Sequence, residues 1–298
     1  MTTFSGLAAF PITPTDADGR VDVAGLRRLV RRLVDAKVDS IGLLGSTGTY
    51  VYLSRSERRR AIEAALDEAA GAVPVMAGVG ALRTDEAVAL AKDAKAAGAG
   101  AGLLAPVSYT PLLDEEVFVH FQTVAGESGL PLCIYNNPGV THFTFSAELI
   151  QRLSAVDGVA AVKNPAPAAD KVGAHLADLR ARVPAGFSLG YSGDGNCAEA
   201  LIAGGDVWHS VLGGLFPEPA LALCRAAQGG DTDLARRLNA RLAPLWPLFP
   251  EFGGLRIVYA VANALGLVSA AAPPRPILPL SGADLARVMT AVAAAGLA

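Results

Sequence analysis

Short apolar runs recur along the chain, each followed by a longer segment in which Ala and Leu are interleaved with Arg, Glu and Asp. The runs fall at residues 7–12, 40–44, 73–78, 102–106, 132–135, 159–163, 187–190 and 207–212. They are continuously apolar instead of alternating, the pattern of strands buried on both faces. The segments between them, such as 23–37, 55–70 and 85–97, carry a helical period. Eight strand–helix units predict a closed parallel α/β barrel, a (β/α)8 TIM barrel, over residues 1–230. A doubly wound open sheet is the competing architecture, but it usually stops at about five to seven strands. From Asp231 to residue 298 strand signals end and helical ones dominate, interrupted by Pro273, Pro274, Pro276 and Pro279. This stretch reads as a C-terminal helical extension packed on the barrel.

Composition narrows the function classes. Of 298 residues, 52% are hydrophobic and 18% charged, enough apolar material for a large core. A net charge of −3 provides no basic footprint for nucleic acid. Two arginine clusters, Arg27, Arg28, Arg31, Arg32 and Arg58, Arg59, Arg60, lie in helical segments and read as solvated faces. There is no signal-peptide pattern and no long uninterrupted apolar run, so neither export nor a membrane partner is expected. Cys133, Cys197 and Cys224 are odd in number and far apart, which suits a reducing, cytoplasmic setting. His120, His142, His175 and His209 form no ligand pair, so no metal is expected. The stretch Asp16-Ala17-Asp18-Gly19 lacks the later ligands of a calcium loop and reads as a turn.

In such barrels chemistry sits at the C-terminal ends of strands. Lys163 closes the apolar run 159–163. Burial there would disfavour the charged form and expose a nucleophilic amine, although the segment alone favours a lysine snorkelling to the surface. Tyr135 ends the preceding strand, where a phenol could shuttle protons to a neighbouring lysine or merely pack. The turn Gly45-Ser46-Thr47-Gly48 after the second strand could gather N–H and O–H donors around a carboxylate, or be a plain tight turn. It lacks the lysine and glycine spacing of a phosphate-binding P-loop.

Taken together, G-S-T-G after strand two, Tyr135-Asn136-Asn137-Pro138 after strand five and a lysine ending strand six resemble the dihydrodipicolinate synthase/N-acetylneuraminate lyase family of class I aldolases. The likeness extends over Phe10-Pro11-Ile12-Thr13-Pro14, Glu57, Ser192-Gly193-Asp194 and Gly204-Gly205. It implies that Lys163 is the Schiff-base lysine, Tyr135 the proton-relay phenol and Ser46 a member of the hydroxyl relay. Thr47, Gly48 and nearby amides would hold the carboxylate of a 2-keto acid. The backbone carbonyl of His209, with Gly193 and Asp194, would line the rest of the pocket. The resemblance also implies a homotetramer built from dimers, a small-molecule 2-keto acid such as pyruvate as substrate, and no cofactor.

The chain departs from the family pattern at four places. Thr49 stands where Glu usually follows the G-[ST]-T-G turn, and Asn164 where an acidic residue usually follows the lysine. Ser108 stands where an interface tyrosine is usual, with Tyr109 one residue on, so either could complete the relay across subunits. Val140 replaces the arginine that binds the carboxylate of the incoming semialdehyde in the synthases. That last change leads to the expectation that the chain is not an efficient dihydrodipicolinate synthase, by about 3–5 kcal/mol for a carboxylate left unpaired, unless Arg256 or Arg275 reaches in. A lyase or aldolase acting on a 2-keto acid is the preferred reading. A 2-keto-3-deoxy sugar-acid dehydratase on the same lysine and a non-catalytic keto-acid binder are the alternatives.

Overall fold

Alternating short strands and helices close on themselves into one parallel barrel. The computed structural model describes residues 4–16, 18–269 and 272–297. Its strands are β1 (Gly6–Ala9), β2 (Ser40–Leu43), β3 (Val75–Gly78), β4 (Ala101–Leu104), β5 (Leu132–Tyr135), β6 (Val159–Pro165), β7 (Ser188–Ser192) and β8 (Val207–Ser210). They pair in sequence order, and β8 returns to β1 through Gly6↔Val207 and Ala8↔His209. The strand runs read from the sequence therefore appear in their expected places, most of them shortened to four residues. β6 and β7 run two residues further than the apolar pattern indicated, because Asn164-Pro165 and Tyr191-Ser192 continue the ladder between them.

The helix Val23–Ala36 shows why the connections form. Asp22 caps its start by accepting from the amide of Gly25, and Leu26, Leu29, Val30 and Leu33 recur on one face and are buried. Burial of each such leucine contributes about 1.5–3 kcal/mol. Ser54 caps the helix Arg55–Ala69 in the same way. Within that helix Arg59 and Arg60 are exposed, but Arg58 is buried, which corrects the reading of this cluster as a solvated face. The Arg58 guanidinium donates to the carbonyls of Leu53 and Gly80 and lies over the Tyr50 ring. It fastens the loops after β2 and β3 together.

Beyond the helix Pro217–Gln228, the helices Thr232–Leu242, Leu248–Phe252, Gly254–Ala264 and Gly282–Ala294 make up the C-terminal segment. Tyr259 donates its hydroxyl to the carbonyl of Thr13, which pins this segment to the loop after β1. No helix among the described residues is long and apolar enough to cross a membrane. Nor does any cluster of three or more His, Cys, Asp or Glu side chains suited to a metal occur among them.

Candidate active site

Because side chains alternate along a strand, every second residue faces the barrel lumen. The lumen set includes Ala8, Phe10, Met76, Leu103, Cys133, Tyr135, Ala161 and Val207, a cluster separate from the main core between sheet and helices. Lys163 follows Ala161 by two and enters the same space. It is 4% exposed, which settles the choice between burial and snorkelling. Its Nζ lies 3.8 Å from the centre of the Phe10 ring and 4.4 Å from that of Tyr135. Among the described residues no hydrogen-bond partner holds that nitrogen, so aromatic faces position it and leave its reactive direction open.

Tyr135 and Lys163 are direct register partners on β5 and β6. The phenolic oxygen is 2.9 Å from Ser46 Oγ and accepts a 2.9 Å bond from Asn137 Nδ2, whose nitrogen is also 3.4 Å from Ser46 Oγ. Ser46 reaches this position through a constrained turn. Leu44 and Thr49, on either side of it, both adopt left-handed backbone with φ of 57° and 55°, a conformation that costs non-glycine residues of order 1 kcal/mol. Gly78 on β3 leaves room for the first, since a Cβ there would lie 1.8 Å from the Leu44 carbonyl. Thr47 is buried, and its Oγ1 has no partner among the described residues. A buried hydroxyl left unpaired in the turn that carries Ser46 is a donor available to a ligand.

The remaining candidates fall in different places. His209 places its imidazole in the lumen: it is 1% exposed, edge-on to Phe10 at 5.8 Å, and neither ring nitrogen has a partner among the described residues. Burial and the nearby Lys163 charge push its pKa well below the ordinary value of 6.5, so the ring is neutral. Gly190, the β7 register partner of Lys163, makes room for it. Gly193 follows β7 with φ 87° and starts the helix Asp194–Ile202. Asp194 is turned to the outer side of β8, where it accepts from Trp208 Nε1 at 2.9 Å and from the Leu212 amide at 2.7 Å. Burial raises its pKa and those two bonds counter the rise. At Gly48 an added Cβ would meet the Leu44 backbone at 2.9 Å and Thr13 Oγ1 at 3.1 Å.

Val140 sits on the short helix Pro138–Thr141 after β5 and is 58% exposed. Arg256 donates to the carbonyl of Phe252, and Arg275 is exposed on the C-terminal segment. Tyr109 is 98% exposed and does not reach Tyr135 within the chain, while Ser108 Oγ donates to the Thr110 carbonyl. Three contributors were not picked out from the sequence: the Phe10 ring under the lysine, the Asn137 amide on the phenol, and the His209 imidazole. Extending the period-two pattern from Lys163 to β1 and β8 would have placed Phe10 and His209 in the lumen. Nothing in the sequence signals the direction of the Asn137 side chain.

Comparison with known proteins agrees with this geometry. Residues 3–295 match the model of the dihydrodipicolinate synthetase family. A 4-hydroxy-tetrahydrodipicolinate synthase of Azoarcus sp. (strain BH72) is 36% identical over 288 residues, covering 96% of each chain. The crystal structure of dihydrodipicolinate synthase from Agrobacterium tumefaciens superposes with a TM-score of 0.96 at 56% identity, covering 99% of both chains. A chloride-inhibited dihydrodipicolinate synthase from Acinetobacter baumannii, solved in complex with pyruvate, is 26% identical with a TM-score of 0.89 and full coverage. A buried lysine in the lumen of an eight-stranded barrel, paired with a hydroxyl-bonded tyrosine and set in a match along almost the whole chain, shows that this protein belongs to the dihydrodipicolinate synthase/N-acetylneuraminate lyase family of Schiff-base-forming class I aldolases.

Proposed function

We propose that Lys163 forms an imine with C2 of pyruvate or a close 2-keto acid, and that the chain uses it to make or break a carbon–carbon bond. The observation that carries this is the Lys163 Nζ held on two aromatic faces beside the Tyr135–Ser46 hydroxyl pair. The amine adds to C2, the carbonyl oxygen becomes a hydroxyl, and this leaves as water with a proton supplied by Tyr135. The protonated C=N bond is an electron sink, so loss of a C3 proton gives an enamine whose C3 adds to an aldehyde carbon. Hydrolysis then frees the product and the lysine. Thr47 Oγ1 and the amides of the turn 45–48 are proposed to receive the carboxylate. The exposed Tyr109 is a surface that a second copy in a homo-oligomer would cover.

The names borne by the relatives give no support to the expectation that the chain is a poor dihydrodipicolinate synthase, and the position of Val140 weakens it further. At 58% exposure, an arginine there would make a solvated ion pair worth up to about 1 kcal/mol, not the 3–5 kcal/mol of a desolvated one. The handicap toward aspartate semialdehyde is therefore about fivefold, not a hundredfold.

Mass spectrometry after borohydride reduction with pyruvate tests the imine. One stable adduct mapping to Lys163 and absent from Lys163→Ala is expected; an adduct that persists in the variant refutes the assignment. A coupled assay with pyruvate and aspartate semialdehyde tests the acceptor. A gain much above tenfold in Val140→Arg would show that Val140 excludes the carboxylate after all.

A further inference from the structure

Asn137 occupies the position just before the helix Pro138–Thr141, where an asparagine ordinarily turns its side chain back to cap the amides of the first turn. Here it makes no such bond. The turn closes on the Asn137 backbone carbonyl, which accepts from the amides of Val140 and Thr141 and from Thr141 Oγ1. The side chain instead crosses to the reaction centre. Its Nδ2, a donor only, bonds the Tyr135 oxygen at 2.9 Å and approaches Ser46 Oγ at 3.4 Å.

We propose that Asn137 is a positioning residue whose amide N–H groups stabilise the charge left on the Tyr135 oxygen when that phenol delivers its proton to the departing hydroxyl. This rests on the imine reading above. When the C2 hydroxyl leaves as water, the O–H bond of Tyr135 breaks and its electron pair stays on the phenolic oxygen. Preorganised donors aimed at an oxygen where charge develops act mainly on the transition state. Ser46 supplies one such donor and Asn137 the other, both from the same chain. Asn137 works through Tyr135, so it should change the rate of imine formation and leave pyruvate affinity alone.

The test follows the rate of borohydride trapping against pyruvate concentration between pH 5.5 and 8 for wild type, Asn137→Ala and Asn137→Asp. The side chain takes no part in the turn, so both variants should keep the wild-type near-UV circular dichroism; the isosteric Asn137→Asp keeps the test usable if alanine disturbs folding. Asn137→Ala should lower the maximal rate about 10- to 100-fold with half-saturation within about twofold of wild type. Asn137→Asp should be slower still at pH 8, where its carboxylate repels the charge it faces. It should recover relative to wild type as pH falls and the protonated acid again donates. Equal losses in both variants with no pH-dependent recovery, or a change confined to half-saturation, overturn the proposal while leaving the imine intact. Failure of wild type to form an adduct with any 2-keto acid overturns the imine reading and this inference together.

Discussion

Replacing Gly190 by alanine probes whether the lumen beside Lys163 is as tightly filled as the structure shows. A Cβ at this position would lie 2.4 Å from His209 Nε2, 2.8 Å from its Cδ2 and 3.1 Å from Val207 Cβ. Ordinary contacts begin near 3.4 Å, so the imidazole or the strand must move by about 1 Å. Gly190 is not in the left-handed region, so the cost is steric and not conformational. The ring has little room to retreat, with the Phe10 ring 5.8 Å away on one side and Lys163 in register on the neighbouring strand. Overpacking of this kind costs about 1–3 kcal/mol, and each kcal/mol should lower the melting temperature by about 1.5–2 °C in a chain of this size. Displacing a reacting atom by about 1 Å can cost 10²-fold in rate, so pyruvate trapping should slow at least about tenfold. Thermal unfolding and borohydride trapping measure both effects. The combined Gly190→Ala/His209→Ala variant should be more stable than the sum of the single losses, with a coupling of about 0.5 kcal/mol or more. Wild-type melting and trapping in Gly190→Ala, or strict additivity in the double variant, would refute the packing scheme.

Two further outcomes follow from the site's surroundings. Asp194→Ala should destabilise the chain by about 2–6 kcal/mol in urea unfolding, because the Trp208 Nε1–H and Leu212 N–H lose their buried acceptor; unchanged stability would free Asp194 from this fastening role. Acid should also loosen the fold. Burial lowers the pKa values of His209 and His120 below 6.5 in the folded chain, so the unfolded chain takes up protons first. Stability is then fully present above about pH 6.5 and falls as pH drops toward the depressed values, by up to about 1.4 kcal/mol per pH unit for each histidine. His209→Leu should flatten that slope, and an unaltered slope would show that His209 does not contribute to it.

How the chain folds was written largely in local pattern, and so was part of its site. Continuous apolar runs separated by amphipathic segments dictate strands buried on both faces with helices outside them, and eight such units close a barrel. The places of Tyr135 at the end of β5 and Lys163 close to the end of β6 follow from the same pattern, since residues near the ends of buried strands open onto the C-terminal face. Other features depend on contacts between residues far apart in the chain, which no local pattern carries. Phe10 lies under Lys163 only because β8 returns to β1 and closes the lumen. Arg58 is buried because two loops offer it carbonyls, although its neighbours Arg59 and Arg60 are exposed. Asp194, next to a glycine in a pocket motif, turns to Trp208 on the outer side of β8. Asn137 turns from its own helix to a tyrosine and a serine brought together by the barrel. Strand and helix are set by the period of side chains along one segment, whereas the partner of a polar side chain is set by which strands become neighbours, and only the closed barrel decides that.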